Sequence, residues 1–264
     1  MRIGLIAFVL ALAVCGTVSS QTNTITTVSA ASFIPYLPLA PGVIAAGYGT
    51  NLTSTIEIAP ATGLLPTVLA QTSVTVKDSA GVERTAPLWF VSSSQINYYI
   101  PEETALGQAT ITVMRNSQTV ATGALQIDTV APGLFTMNAN GQGVPVALAI
   151  FAKGDGSQTW QYVFNAGCAV GSCQPVPLDL GPATDTVFLQ LYGTGIRGRS
   201  SLAAVTAKIG GLDAPVEYAG PVSGMVGLDQ VNLRVPRSLI GRGELDVVLA
   251  VDGKTANTVR VNIK

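Results

Sequence analysis

The chain has no histidine, and only 11% of its 264 residues are charged. Without an imidazole, the Ser-His-Asp and Cys-His arrangements of nucleophilic catalysis are excluded, together with most catalytic zinc chemistry. There is no basic run, and 14 Lys and Arg stand against 15 Asp and Glu for a net charge of −1. Nucleic-acid binding needs a cationic footprint to neutralise phosphates, so that class is excluded as well. Beyond the first twenty residues no apolar run approaches the roughly 20 residues that a spanning helix requires, and no transmembrane segment is expected in the mature chain.

Cysteine is scarce too, with three in all. The first, Cys15, falls in a stretch that reads as an export leader. Arg2 supplies a positive start, Ile3 to Val14 form an apolar run, and Val18-Ser19-Ser20 places small residues before Gln21. Cleavage near Ser20 leaves a secreted or periplasmic chain. A cut before Cys15 would instead give a lipid anchor, but Val14 is a poor residue ahead of a lipidated cysteine. After cleavage at Ser20 only Cys168 and Cys173 remain, and an even count in an oxidising compartment reads as one disulfide. A metal half-site needs further ligands, and the chain has no histidine to provide them. No metal or cofactor is expected.

What the chain has in quantity is 48% hydrophobic residues, with 28 glycines and 15 prolines between short β-branched runs. That punctuation belongs to an all-β protein with many turns. Alternation supports strands at Val187-Leu189-Leu191, at Val247-Leu249-Val251 and at Val259-Val261-Ile263. Helical periodicity is absent after the leader, apart from a short turn allowed after Pro101 or Pro236.

The chain also repeats itself. Gly107 to Ile127 aligns without a gap on Gly243 to Ile263, each reading as a hairpin turning at Asn116-Ser117 or Asp252-Gly253. Upstream, Gln95-Ile96-Asn97 with Pro101 answers to Gln230-Val231-Asn232 with Pro236, and Ala86-Pro87 to Ala214-Pro215. Val74 to Lys77 answers to Val205 to Lys208, and Tyr48-Gly49-Thr50 to Tyr192-Gly193-Thr194. Each unit has the size of an immunoglobulin-like sandwich. The expected organisation is a leader over residues 1–20, a first domain over 21–127, a β-rich connector over 128–185 and a second domain over 186–264. Within the connector, Val144 to Phe151 and Trp160 to Phe164 read as strands that extend the first domain or bridge the two.

These blocks resemble the "Solibacter uncharacterised C-terminal domain" family of acidobacterial secreted proteins. The resemblance rests on Ala30-Ala31-Ser32-Phe33, Ala40-Pro41-Gly42, Gln95-Ile96-Asn97 with Pro101, Ala131-Pro132-Gly133-Leu134-Phe135, Tyr192-Gly193-Thr194-Gly195 and Gly227-Leu228-Asp229-Gln230-Val231-Asn232. It implies two tandem immunoglobulin-like β-sandwich domains of the IPT/TIG type and an exported address, and it implies no reaction. Family members commonly carry this region at the end of longer chains, whereas here it follows the leader directly, so a role as mere appendage is not expected.

Few groups offer chemistry. Glu102-Glu103 follow a proline and read as a solvated turn, and Asp179, Asp185, Asp213, Asp229 and Glu244 sit beside turns where carboxylates bond backbone. Gly193-Thr194-Gly195 lacks the lysine and helix of a phosphate loop. A glycosidase needs only two carboxyl groups, so that reaction stays open as a minor reading. The Gln-x-Asn pairs at Gln95/Asn97 and Gln230/Asn232 read as scaffolding that satisfies backbone at a strand end. Trp160, Tyr162 and Phe164 alternate along one strand, so one face carries three rings. They form either packing between domains or a ligand-binding face. The expected function is therefore that of a secreted non-enzymatic protein contacting a protein or cell-surface partner. The alternative is a carbohydrate-binding module that uses Trp160, Tyr162 and Phe164.

Overall fold

Alternating apolar residues flanked by glycine turns give strands, and strands with one apolar face must stack in pairs to bury it. The computed structural model describes residues 22–61 and 63–264. The expected leader over residues 1–20, with Cys15 and the cut near Ser20, lies outside them. The first part of the chain forms β1 (Asn23–Thr24), β2 (Thr26–Ser29), β3 (Ile44–Tyr48), β4 (Glu57–Ile58), β5 (Thr72–Lys77), β6 (Glu83–Ala86), β7 (Leu88–Val91), β8 (Gln95–Tyr99), β9 (Gly107–Arg115) and β10 (Gln118–Ile127). The second forms β11 (Gly133–Leu134), β12 (Ala147–Ala152), β13 (Gln158–Tyr162), β14 (Pro177–Leu178), β15 (Thr186–Thr194), β16 (Val205–Ile209), β17 (Leu212–Asp213), β18 (Val216–Pro221), β19 (Asp229–Arg234), β20 (Gly243–Val251), β21 (Lys254–Thr255) and β22 (Val259–Ile263). Among the described residues there is no α-helix, and none is long and apolar enough to cross a membrane. Of the two turns expected after prolines, Arg237–Leu239 forms a 3₁₀ turn after Pro236.

Four sheets result. In the first sandwich β1-β10-β9-β5-β6 faces β2-β3-β8-β7-β4 across a core that includes Val76, Leu88, Ile96 and Ile111. In the second, β13-β12-β15-β19-β18 faces β14-β22-β20-β16-β17 across Leu189, Leu191, Val231, Leu249 and Val261. The duplication is visible in the pairing itself. Gly107 lies opposite Ile127 as Gly243 lies opposite Ile263, and Tyr48 opposite Gln95 as Tyr192 opposite Gln230. Both hairpins turn through two left-handed residues, Asn116 and Ser117 in one and Asp252 and Gly253 in the other. A register shift interrupts β7 between Leu88 and Phe90, and β18 between Val216 and Tyr218, opposite equivalent residues of β8 and β19. One block is displaced from its sequence alignment. Val74 pairs with Val113 and Ala86, and the residue in that place in the second unit is Ala207, which faces Leu249 and takes a hydrogen bond from Ala214. The sequence pairing of Val74 with Val205 is therefore two residues out, an error that keeps the same side chains inward because strand periodicity is two.

The stretch over 128–185 is not a separate layer between the units. Its strands join the second sandwich, β12 pairing with β15 and β14 running parallel to β22. It matches the start of the first unit, because β12 flanks β15 as β2 flanks β3, and Leu178 pairs with Ile263 as Leu39 pairs with Ile127. The β13 hairpin and the disulfide loop after it have no counterpart in the first sandwich.

A buried ion pair inside the second unit positions a contact between the units. Asp229, wholly buried, accepts hydrogen bonds from the Ile196 N–H at 2.7 Å and the Arg197 N–H at 3.2 Å, and pairs with Arg197 Nε at 2.9 Å. Burial pushes the Asp229 carboxyl above its ordinary range, against the pull of these donors and the guanidinium. The far edge of the same guanidinium crosses to the first sandwich, where Nη1 donates to Glu102 Oε1 at 2.9 Å, and Tyr99 donates to the same oxygen at 2.6 Å. Beside it, Thr194 Oγ1 accepts the Ile44 N–H at 3.0 Å and donates to Gly227 O at 2.8 Å. Gly227 is required there, since its φ is +72° and a Cβ would sit 2.5 Å from Ile44 Cγ1. Glu102 lies in an exposed turn with Glu103, as the sequence reads it, and is in addition half of an inter-unit ion pair. Its partner lies 95 residues away, so no local pattern announces it.

Breaking a buried pair by removing one partner costs about 3–5 kcal/mol, because the remaining charge is left uncompensated. Arg197→Ala is expected to lower the unfolding free energy by a matching amount, read as a lower urea midpoint at unchanged slope, and to broaden the distribution of inter-unit distances seen by small-angle scattering. An unchanged midpoint would show that the pair is dispensable.

Each sandwich also holds an inward carboxylate. Asp78 accepts the Ala105 N–H, the strongest influence on it, and those of Val82 and Ala80, and pairs with Arg84 at 2.6 Å; together these hold its carboxyl below the ordinary range despite burial. Asp185 is held down likewise, first by Lys153 at 2.9 Å and then by the Gly154 N–H. For a carboxyl depressed on folding, the unfolded chain binds more protons, so stability is present above the unfolded value of about 3.9 and is lost as pH falls through the folded one. Thermal melts taken from pH 6 down to 2 should fall steeply below about pH 4. In the Asp78→Asn/Asp185→Asn double variant the acid limb should flatten, with a lower melting temperature at neutral pH.

Candidate functional site

Strand alternation sends Val187, Leu189 and Leu191 into the core and leaves Phe188, Gln190 and Tyr192 on the outer face of their sheet. The neighbouring strands add to that face in register. Ile150 lies between Trp160 and Phe188, Leu148 between Tyr162 and Gln190, and Asn232 and Gln230 lie opposite Gln190 and Tyr192. The result is a surface of rings at one edge and amides toward the other.

The amides are tied to one another. Gln190 Nε2 donates to the Tyr192 hydroxyl at 2.6 Å and to Gln230 Oε1 at 3.1 Å, and Gln230 Nε2 donates to Asn232 Oδ1 at 2.8 Å. In the first sandwich Gln95 Nε2 donates to Asn97 Oδ1 at the same 2.8 Å. Sequence reading gives these pairs backbone partners at a strand end. The structure instead gives each glutamine the neighbouring asparagine on the outer face, since side chains two apart on a strand point the same way.

Between the sandwiches lies a cleft of about 790 Å³, lined from the first by Tyr48, Trp89, Gln95 and Asn97 and from the second by Phe135, Val146 and Tyr192, among others. Trp89 sits at the register shift of β7, and its indole N–H is buried with no acceptor among the described residues. Burial raises the Tyr48 hydroxyl pKa, so the phenol stays protonated and can donate. A second recess of about 240 Å³ holds Trp160, Tyr162 and Phe164 and shares Val146 and Tyr192 with the cleft. The two recesses are therefore one continuous surface. No Asp, Glu, Lys or Arg lines either of them.

The three rings marked in the sequence do lie together. Trp160 and Tyr162 are 5.5 Å apart between centroids at 77°, and Tyr162 and Phe164 are 4.9 Å apart at 33°. Their environments differ. Trp160 is 60% and Tyr162 43% exposed, whereas Phe164 is 8% exposed and packs in the core. The rings therefore do not fix the angle between units, which falls to Arg197 and Thr194. Below Phe164, Cys168 and Cys173 form a disulfide with Cα atoms 5.1 Å apart. Cys173 is held at both its amide and carbonyl by the side chain of Asn138. A ring this small contributes on the order of 2 kcal/mol by loop-closure entropy, so it shapes the loop more than it holds the fold.

Sequence reasoning missed Tyr192, Tyr48 and Trp89 as surface groups. The signal for the first two was present in the repeated Tyr-Gly-Thr block. Trp89 carried none, because it faces the cleft only through the irregularity in β7. No family model matches the chain, and no curated protein matches it.

A substitution of an exposed side chain away from packing changes stability by no more than about 0.5 kcal/mol. Trp160→Ala is therefore expected to leave the melting temperature within about 2 °C of the parent. Acrylamide or iodide should quench a large share of the tryptophan fluorescence in the parent and far less in the variant. A drop of many degrees would show that the ring is packing after all.

Proposed function

We propose that the protein is an exported, non-enzymatic binding protein, related to the Solibacter-type secreted family and built from two IPT/TIG-type immunoglobulin-like domains. Its ligand lies on the outer face of β13-β12-β15-β19 and runs into the cleft between the units. The observation that carries this reading is the continuity of the two recesses through Val146 and Tyr192, across a junction clamped by Arg197. Domain junctions with a few convergent polar groups in an apolar lining are where ligands settle. Rings and amides bind and orient, and the lining supplies no pair of carboxyl groups to hydrolyse a bond. The leader pattern and the disulfide of Cys168 and Cys173 support an extracytoplasmic address. The fold itself contributes only analogy.

Hydrogen exchange of the mature chain, with and without solubilised material from the native envelope, tests the reading. Protection is expected in β12, β13, β15 and β19 and in β7 and β8, and Tyr48→Ala/Tyr192→Ala should abolish it. Protection confined to β16, β20 or β22, or turnover of envelope polymers that stops when single Asp or Glu residues are changed, would overturn it.

A further inference from the structure

The chemistry of this surface narrows the ligand, and the narrowing rests on the function proposed above. We propose that the ligand is a single, soluble chain of an uncharged polysaccharide, seated against Trp160 and Tyr162 at one end and entering the cleft beside Tyr192 and Trp89 at the other.

Charge comes first. The linings of the cleft and of the ring recess contain no ionised side chain, and the charged residue that β19 adds to the same face, Arg234 opposite Phe188, is already paired with Glu217 at 3.2 Å. A ligand bearing carboxylates, sulfates or phosphates would lose hydration there with no cation to replace it, which is strongly unfavourable. The occupant is therefore neutral.

The mixture of groups comes second. A wholly apolar partner would bury the amides of Gln95, Asn97, Gln190, Gln230 and Asn232, whose mutual bonds leave donors and acceptors over. In the ladder Gln190 uses its amide nitrogen and Asn232 its carbonyl oxygen, so a carbonyl at one end and an NH₂ at the other still face outward. Leaving such groups unpaired in a contact is costly. The Trp89 N–H adds a further donor without an acceptor in the cleft wall. A pyranose ring meets both demands at once. Its C–H face packs on an aromatic ring, and its equatorial hydroxyls donate and accept around the rim. An extended peptide offers one N–H and one C=O per residue, directed at a strand edge, whereas this surface is a sheet face.

Geometry comes third. Trp160 and Tyr162 stand at 77° to each other, one as floor and one as wall. A crystalline polymer surface needs coplanar rings, so this step suits one chain in solution. The rings are set on a strand whose hairpin the disulfide loop follows, and little conformational freedom is lost when they are covered.

The test is affinity electrophoresis and calorimetry of the mature chain on soluble neutral polysaccharides, such as β-glucan, xyloglucan, arabinoxylan and galactomannan. Polygalacturonate and dextran sulfate serve as charged contrasts. Binding to at least one neutral polymer is expected, unaltered between 0.05 and 1 M salt because no ion pair is involved (roughly the range over which screening becomes complete). Trp160→Ala should weaken it about tenfold or more with melting temperature unchanged, and Gln230→Ala should weaken it likewise. Failure of every neutral polymer overturns the proposal, as does retardation by the charged polymers alone. If an envelope protein binds instead and Trp160→Ala weakens it, the ligand class is wrong and the surface is right. If a polysaccharide binds but neither variant nor Tyr192→Ala weakens it, the surface itself is wrong.

Discussion

The pair between Asp229 and Arg197 is the constraint on which the arrangement of the molecule turns. Asp229 is wholly buried and would be unstable there without donors, and the donors it finds are two backbone amides and the guanidinium of Arg197. That commits Arg197 to one orientation, with its outer edge aimed at Glu102 and Tyr99 of the other sandwich. The same turn brings Thr194 onto the backbone of Ile44. One buried carboxylate thus orders a loop within the second unit and sets the seat for the first.

Much of the architecture was legible in the residues because the chain states it twice. Hairpins, the Gln-x-Asn strands and the Tyr-Gly-Thr strands fall in matching registers, and each is a local pattern that a strand period of two makes explicit. The displacement of Val205 by two places shows the limit of that legibility, since an alternating strand looks alike after a shift of two. The stretch over 128–185 was harder. Within it β12 and β14 match β2 and the segment at Leu39 in pairing but hardly in sequence, and the inserted β13 hairpin spaces them further apart. Pairing across such an insertion is a non-local property that no window of sequence contains.

The surface was legible in part for related reasons. Trp160 and Tyr162 declared themselves by alternation on a single strand. Phe164, one step further on, has the same phase but lies past the end of β13, where the chain turns inward to pair with Pro175. The sequence marks the amides but not their partners, because a strand end and a strand face cannot be told apart before the neighbouring strands are known. Trp89 and Glu102 were beyond reach, one depending on an irregularity in β7 and the other on a partner in the opposite unit.

The parallel pairings described earlier also bear on how the protein meets force. In each sandwich the last strand is flanked by a parallel segment from the front of the unit: β1 and Leu39 beside β10, and β14 beside β22. Chain direction is shared across those pairs, so a pull that separates the ends of a unit slides one segment along the other. The hydrogen bonds between them are then loaded side by side and yield together, whereas an antiparallel hairpin pulled at its open end unzips one bond at a time. Along that direction each unit resists as a clamp does.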